Sequence, residues 1–199
     1  MLGVFKDETR MEWQIVYPLY DCDLFNYLHR RITNGNIITW KDTLSIAIDV
    51  VSCVELLHNN NIIHRDLKLE NIFINYNKDT EEITHIALGD YGTITFSNVA
   101  MTCIGTERYM SPEVKNVCDD PRAVYTESVD IYSLSGILYE LIPKSTLQRA
   151  NIADFRTDLH FNDAPEKYRQ LIMDCANKAK PDLRPKISDV KAILSSIKI

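Results

Sequence analysis

The feature that most constrains this chain is a polar loop between two short apolar segments. Residues 62–63 precede the loop and residues 72–74 follow it, and both segments have the branched and aromatic composition of short buried strands. Between them stand one acid, one base and one amide: Asp66, Lys68 and Asn71. The chain must therefore fold so that both flanks are buried while three polar side chains meet at one turn.

That set of side chains suits phosphoryl transfer. A carboxylate can orient an attacking hydroxyl and accept its proton, a cation can offset charge on the moving phosphoryl group, and an amide oxygen can hold Mg²⁺. Residues 64–71, His-Arg-Asp-Leu-Lys-Leu-Glu-Asn, resemble the catalytic loop of the eukaryotic protein kinases. The alternative is a charged turn with His64 as an ordinary core histidine, and eight ordered positions argue against it.

The resemblance implies an α+β, protein-kinase-like fold, with a mostly helical C-lobe and a residual N-lobe β-hairpin. Residues 1–199 would form a partial kinase domain. Its parts would be a remnant hairpin at 1–17, a hinge at 18–23 and the C-lobe at 24–199. ATP and Mg²⁺ are the cofactors that the resemblance implies.

The resemblance also gives each polar residue a role. Asp66 would be the catalytic base, Lys68 would steady the transferred phosphoryl group, and Asn71 would hold Mg²⁺. Asp90 would be the second metal ligand, because it opens an Asp-Tyr-Gly triplet that resembles the family's Asp-Phe-Gly. Tyr91 replaces the usual Phe there, and its hydroxyl would need a hydrogen-bond partner.

The predicted hinge would bind adenine through its backbone. Pro18 keeps its carbonyl and loses only its N–H, while Tyr20 would supply the donor. Phe73 joins both in the expected ATP-binding set. Tyr17 would be the gatekeeper residue, although a shift of one position would give that role to Val16. The alternative for this segment is a plain strand-to-helix connection.

An activation segment is expected over residues 93–113. Its end, Gly-Thr-Glu-Arg-Tyr-Met-Ser-Pro-Glu at 105–113, resembles the corresponding stretch of serine/threonine kinases. In that family the residue matching Thr106 contacts the catalytic Asp and Lys. The resemblance therefore favours Ser or Thr of a protein substrate as the phosphate acceptor.

Phosphorylation of this segment by an upstream activating kinase is a further expectation. Thr102 is the first candidate site and Ser97 the second. Arg65 would supply a guanidinium to bind the added phosphate. The alternative for these hydroxyls is a polar, solvated loop.

Two more carboxylates are expected to be structural. Asp130 opens a segment resembling the family's Asp-x-Trp-Ser-x-Gly, with Tyr132 in place of Trp, and would bond the backbone of the catalytic loop. An Asp favoured by the helix dipole is the alternative. Glu113 would form a bidentate ion pair with Arg184.

Helix boundaries are predicted from caps and apolar spacing. Asp23 is a suitable N-cap for a helix ending at 34–36, and Thr39 with Asp42 resembles a capping box that opens a long helix to about His58. Further helices are predicted at about 126–142, around 168–175 and at about 188–199.

Composition narrows the partners. The net charge is 22 − 28 = −6 without a basic run, which argues against nucleic-acid or membrane-surface partners. The five cysteines are scattered and include no Cys-x-x-Cys pair, so a reducing compartment is expected. No signal peptide or membrane span is visible, and we therefore expect a cytoplasmic or nuclear protein that is not secreted.

Three family elements are missing from these residues: a Gly-x-Gly-x-x-Gly loop, a Val-Ala-Ile-Lys strand, and the helix whose Glu pairs with that Lys. An active kinase whose sequence has lost its N-terminus is one interpretation, and a catalytically dead truncation acting as a binding or scaffold module is another. A small-molecule phosphotransferase is disfavoured by Lys68 and the Ser-Pro-Glu stretch. The complete set of Asp66, Lys68, Asn71 and Asp90 favours an active kinase.

Overall fold

Helices form the larger part of the ordered structure, as the apolar spacing predicts. The computed structural model describes residues 3–7, 9, 12–96, 104–117, 126–144 and 159–199. Within those ranges the α-helices are α1 (Leu24–Thr33), α2 (Trp40–His58), α3 (Pro112–Val117), α4 (Ser128–Glu140), α5 (Leu159–Asp163), α6 (Glu166–Cys175) and α7 (Ile187–Ser196).

In the part of the chain that the structure describes, the strands form three small antiparallel sheets. One is the predicted N-terminal hairpin of β1 (Gly3–Asp7) and β2 (Glu12–Val16). The second has the order β3 (Cys22–Asp23), β5 (Ile72–Tyr76) and β6 (Ile83–Leu88). The third pairs β4 (Ile62–Ile63) with β7 (Thr95–Phe96). The α+β class with a small antiparallel sheet is therefore confirmed.

Side-chain caps set the starts of the first two helices. The Asp23 carboxylate accepts a hydrogen bond from the Asn26 N–H at 2.9 Å, so α1 begins at Leu24. At the start of α2, Thr39 Oγ1 accepts from the Asp42 N–H at 3.1 Å, and the Asp42 carboxylate accepts from the Thr39 N–H at 3.0 Å. This is the predicted capping box.

Among the described residues, most buried apolar side chains form one large core, and Ile63, Val114 and Val129 form a smaller second cluster. Every residue of α4 from Val129 to Glu140 is buried, so this helix has no solvent-facing side. Buried hydroxyls fasten it to its neighbours: Tyr168 of α6 donates to the Leu138 carbonyl at 2.8 Å, and Ser133 donates to the Tyr109 carbonyl at 2.8 Å. Among the described residues, no helix combines the length and the apolar character needed to cross a bilayer.

The predicted Glu113–Arg184 pair is present and bidentate. Arg184 donates from both terminal nitrogens to the two carboxylate oxygens of Glu113, and the Nη2–Oε2 distance is 2.9 Å. It also donates to the backbone carbonyls of Ser128 and Asn177, each at 2.9 Å. The Arg184 side chain is 0% exposed and that of Glu113 is 22% exposed, so the pair is shielded from solvent and ties α3 to the C-terminal part of the chain.

We predict that Arg184→Ala lowers the free energy of unfolding by roughly 3–5 kcal/mol, because it leaves the Glu113 carboxylate without its buried partner. Lys191→Ala is the matched control. It breaks the 2.6 Å Lys191–Glu55 pair, whose lysine is 36% exposed, and should cost less than about 1 kcal/mol. Urea denaturation measures both, and equal losses would contradict the prediction.

Candidate active site

A buried carboxylate fixes the backbone of the polar loop. Asp130 is 0% exposed, and its two oxygens accept hydrogen bonds from the backbone N–H groups of His64 at 2.8 Å and Arg65 at 2.9 Å. The ring of His58, at the end of α2, lies 3.0 Å from the same carboxylate. The predicted structural role of Asp130 is confirmed, and the loop is held by charge-assisted bonds rather than by solvent.

His64 joins this loop to the end of β6. Its Nε2 lies 2.9 Å from the Gly89 carbonyl oxygen, and a carbonyl can only accept, so Nε2 carries the proton. The unprotonated Nδ1 then faces the Asp66 N–H at 3.4 Å. Thr93 donates its hydroxyl to the His64 carbonyl at 2.8 Å. His64 is fully buried, so its packing is that of a core histidine, as the alternative interpretation predicts. Its hydrogen bonds also join the polar loop to the end of β6.

Three side chains converge on Asp66. Lys68 Nζ lies 2.7 Å from Oδ2 of Asp66 and 2.9 Å from Oγ1 of Thr106. Asn71 donates from Nδ2 to the same Asp66 Oδ2 at 3.0 Å. Thr106 donates to Asp66 Oδ1 twice, from its backbone N–H at 2.8 Å and its hydroxyl at 2.7 Å. The structure thus brings together the three predicted catalytic residues and the predicted threonine.

This environment keeps Asp66 ionised. Partial burial of the carboxyl group favours its neutral form, but hydrogen bonds from Lys68 and Thr106 and the charge of Lys68 together outweigh that effect. The pKa of Asp66 therefore lies below its ordinary value. At neutral pH the site holds a carboxylate whose orientation is fixed at both oxygens.

Gly105 allows the segment carrying Thr106 to approach the loop. Its φ is +130°, and a Cβ atom added there would lie 2.6 Å from the Arg65 carbonyl oxygen. A larger residue would push Thr106 away from Asp66. The resemblance of residues 105–113 to a family motif pointed to this glycine, but the close backbone contact that requires it was not visible in the sequence.

A cleft of about 570 Å³ opens beside this cluster. The four residues expected to bind ATP all line it: Pro18, Tyr20, Phe73 and Asp90. The expected gatekeeper Tyr17 lines it as well. The remaining lining residues are Leu19, Cys22, Asp23, Ala87, Leu88, Gly89 and Tyr91.

Asn71 and Asp90 each have a side-chain oxygen that is suited to binding Mg²⁺. The Gly89 N–H donates to the Asn71 backbone carbonyl at 2.9 Å, which brings the two residues to adjoining strand ends. The Asn71 amide nitrogen donates to the backbone carbonyl and the carboxylate of Asp66, and the described residues provide no hydrogen bond to its amide oxygen. The Asp90 carboxylate is exposed and likewise lacks a hydrogen-bond partner in the described part of the chain. One carboxylate and one amide oxygen suit Mg²⁺ that also binds phosphate oxygens.

The guanidinium of Arg65 is engaged within the protein. It donates to the backbone carbonyls of Thr93 and, at 3.5 Å, Ile94, and Arg65 itself has a left-handed φ of 71°. These contacts hold residues 93–94, the start of the expected activation segment, against the loop. Ser97 and Thr102, the expected phosphorylation sites, lie outside the described residues.

The fold and this arrangement of the loop define the class of protein-kinase-like proteins. The sequence model of the protein kinase domain family matches residues 1–196, which is nearly the whole chain. The chain therefore belongs to the eukaryotic-type serine/threonine protein kinase family.

Relatives in curated collections agree with this assignment. A probable serine/threonine-protein kinase of Dictyostelium discoideum is 33% identical over 173 residues, covering 81% of this chain and 38% of the relative. A second from the same organism is 31% identical over 208 residues, covering 98% of this chain and 32% of the relative. The serine/threonine-protein kinase US3 of human herpesvirus 1 is 36% identical over 132 residues, 63% of this chain and 24% of that protein. This chain thus spans about a third of the length of the first two.

Gly89 leaves room for the ring of Phe73 at the wall of the cleft. A Cβ atom there would lie 2.4 Å from Cε2 and 2.6 Å from Cδ2 of Phe73. Gly89→Ala should therefore displace the Phe73 ring and weaken binding of a fluorescent ATP analogue on the order of tenfold, as overpacking usually costs 1–3 kcal/mol.

The smaller Phe73→Leu change, added to Gly89→Ala, should recover most of that loss. Phe73→Leu alone provides the fourth corner of the double-mutant cycle. If the effects of the two changes on affinity simply add, the two positions do not share one space and the interpretation is wrong.

Proposed function

We propose that this chain carries the catalytic centre of an ATP-dependent protein serine/threonine kinase, which transfers the γ-phosphoryl group of ATP to a Ser or Thr hydroxyl. The observation that carries the proposal is the fixed Asp66 carboxylate, bonded at 2.7–3.0 Å by Lys68, Asn71 and Thr106. A binding module without chemistry has no need to hold one ionised carboxylate so firmly beside an open cleft.

Each residue of the cluster then has a distinct role. Asp66 orients the substrate hydroxyl and takes its proton as the hydroxyl oxygen attacks phosphorus. Lys68, 2.7 Å from Asp66, places positive charge next to the attacking oxygen and the transferred group. Thr106 holds Asp66 and Lys68 together and belongs to the segment on which a peptide substrate would lie.

The cleft beside the cluster would hold the nucleotide. Pro18 and Tyr20 offer backbone groups to the adenine edge, and Phe73 offers an aromatic face to the base. Asn71 and Asp90 would hold Mg²⁺, which neutralises charge on the phosphate oxygens when it is bound. We further propose that the substrate is a protein and that an upstream kinase phosphorylates the activation segment.

The 199 residues contain neither a glycine-rich loop nor the lysine of a small-lobe strand, which help to position the phosphates in this family. We therefore infer that this polypeptide alone binds Mg·ATP weakly and transfers phosphate slowly. Full turnover would need those elements to be present. We further propose that residues 18–23 form a hinge between a remnant N-lobe hairpin at 1–17 and a C-lobe at 24–199.

The test uses the chain joined to the small lobe of a relative and measures transfer of labelled phosphate to a protein substrate. Asp66→Asn should lower kcat on the order of a hundredfold or more and leave ATP affinity nearly unchanged, because the lost interaction acts in the transition state. Phosphoamino-acid analysis of the unmodified enzyme's product should give phosphoserine or phosphothreonine.

Asp79→Asn is the matched control, since it removes the same charge from an exposed turn outside the cluster. It should leave both constants unchanged. An Asp66→Asn enzyme with near-normal kcat, or a product dominated by phosphotyrosine, would contradict the proposed function.

A further inference from the structure

The hydroxyl of Tyr91 forms a hydrogen bond across the turn that contains Asp90. It donates to the Leu88 carbonyl at 2.7 Å, so the bond spans Gly89 and Asp90. A backbone carbonyl can only accept, so the Tyr91 hydroxyl is the donor of this bond. A phenylalanine at this position would fill the same volume without this bond.

The turn needs such support because Asp90 has an unfavourable backbone conformation. Its φ of 57° and ψ of 65° lie in the left-handed region, which costs free energy for a residue with a Cβ atom. On the N-terminal side, Gly89 is held by hydrogen bonds of 2.9 Å to Asn71 and to His64. On the C-terminal side, the Tyr91 hydroxyl ties the chain back to the end of β6.

The ring and the hydroxyl of Tyr91 do separable things. The ring contacts His64, with centroids 6.1 Å apart, and Tyr17, with centroids 6.3 Å apart. Those apolar contacts would persist with phenylalanine. The hydroxyl adds a bond that phenylalanine would lose, and this bond ties Tyr91 back to Leu88 across Gly89 and Asp90.

We propose that Tyr91 is a positioning residue whose hydroxyl holds Asp90 in the conformation that presents its carboxylate to nucleotide-bound Mg²⁺. This inference rests on the proposed function, because it assumes that Asp90 is a metal ligand. It adds that the metal dependence of nucleotide binding in this chain is set in part by a hydrogen bond that phenylalanine cannot make.

The experiment compares the unmodified chain with Tyr91→Phe in equilibrium binding of a fluorescent ADP analogue, with Mg²⁺ and with EDTA. The informative quantity is the dissociation constant in EDTA divided by the dissociation constant in Mg²⁺. This magnesium ratio isolates the contribution of the metal to binding. Tyr91→Phe should reduce this ratio about three- to tenfold, the range expected for one hydrogen bond, and leave the affinity in EDTA unchanged.

Tyr168→Phe is the matched control. It removes a bond of the same kind, from a tyrosine hydroxyl to the Leu138 carbonyl at 2.8 Å, in the buried core. It should lower the melting temperature without changing the magnesium ratio. If Tyr91 were only structural, Tyr91→Phe would likewise lower the melting temperature and leave the magnesium ratio unchanged.

The outcomes separate the inference from the function beneath it. If the unmodified chain binds the analogue better with Mg²⁺ and Tyr91→Phe does so equally, the positioning role is refuted and the metal site stands. If Mg²⁺ does not strengthen binding to the unmodified chain, the Asn71–Asp90 site fails, and the role of Tyr91 fails with it.

Discussion

The carboxylate of Asp130 is the constraint on which the rest of the site depends. A loop that brings Asp66, Lys68 and Asn71 together at one turn cannot satisfy all of its backbone within a strand or helix. Buried N–H groups without partners are costly, and Asp130 accepts the two at His64 and Arg65. Since α4 is buried from Val129 to Glu140, Asp130 anchors the loop to a helix of the core.

Hydrogen bonds connect the anchored loop to the other parts of the site. The loop positions His64, which bonds to Gly89 at the end of β6 and so places the Asp90 turn. The same loop positions Asp66, which receives the backbone and hydroxyl of Thr106. The cleft, the proposed metal ligands and the proposed peptide-docking segment therefore all depend on the position of this loop, and small shifts of the loop would affect all three.

Much of this organisation could be predicted from the chain itself. Caps and apolar spacing predicted α1 and α2 closely, because Asp23, Thr39 and Asp42 act on neighbours three residues away. The ion pair of Glu113 with Arg184 came from family resemblance, since nothing local connects residues 71 positions apart. Contacts set by close backbone approach were not predicted: the need for Gly105 beside Arg65 depends on tertiary packing.

The same division holds within the site. The residue types at 66, 68 and 71 indicated the chemistry, and the partner that the Tyr91 hydroxyl needs was predicted without its identity. The acceptor, the Leu88 carbonyl, depends on the left-handed turn at Asp90, which the sequence does not reveal. Residue types thus suggest the chemistry proposed for the site, while the backbone angles that place those residues arise from tertiary packing.

The measurement that tests this account most directly is hydrogen exchange at the backbone amides of His64 and Arg65 in an Asp130→Asn variant. An asparagine has one acceptor oxygen for two donors. We therefore expect at least one of these amides to exchange on the order of tenfold faster or more, with weakened Mg·ADP binding and unchanged protection in α6 and α7. Unchanged exchange at both amides together with unchanged Mg·ADP affinity would show that Asp130 does not organise the site.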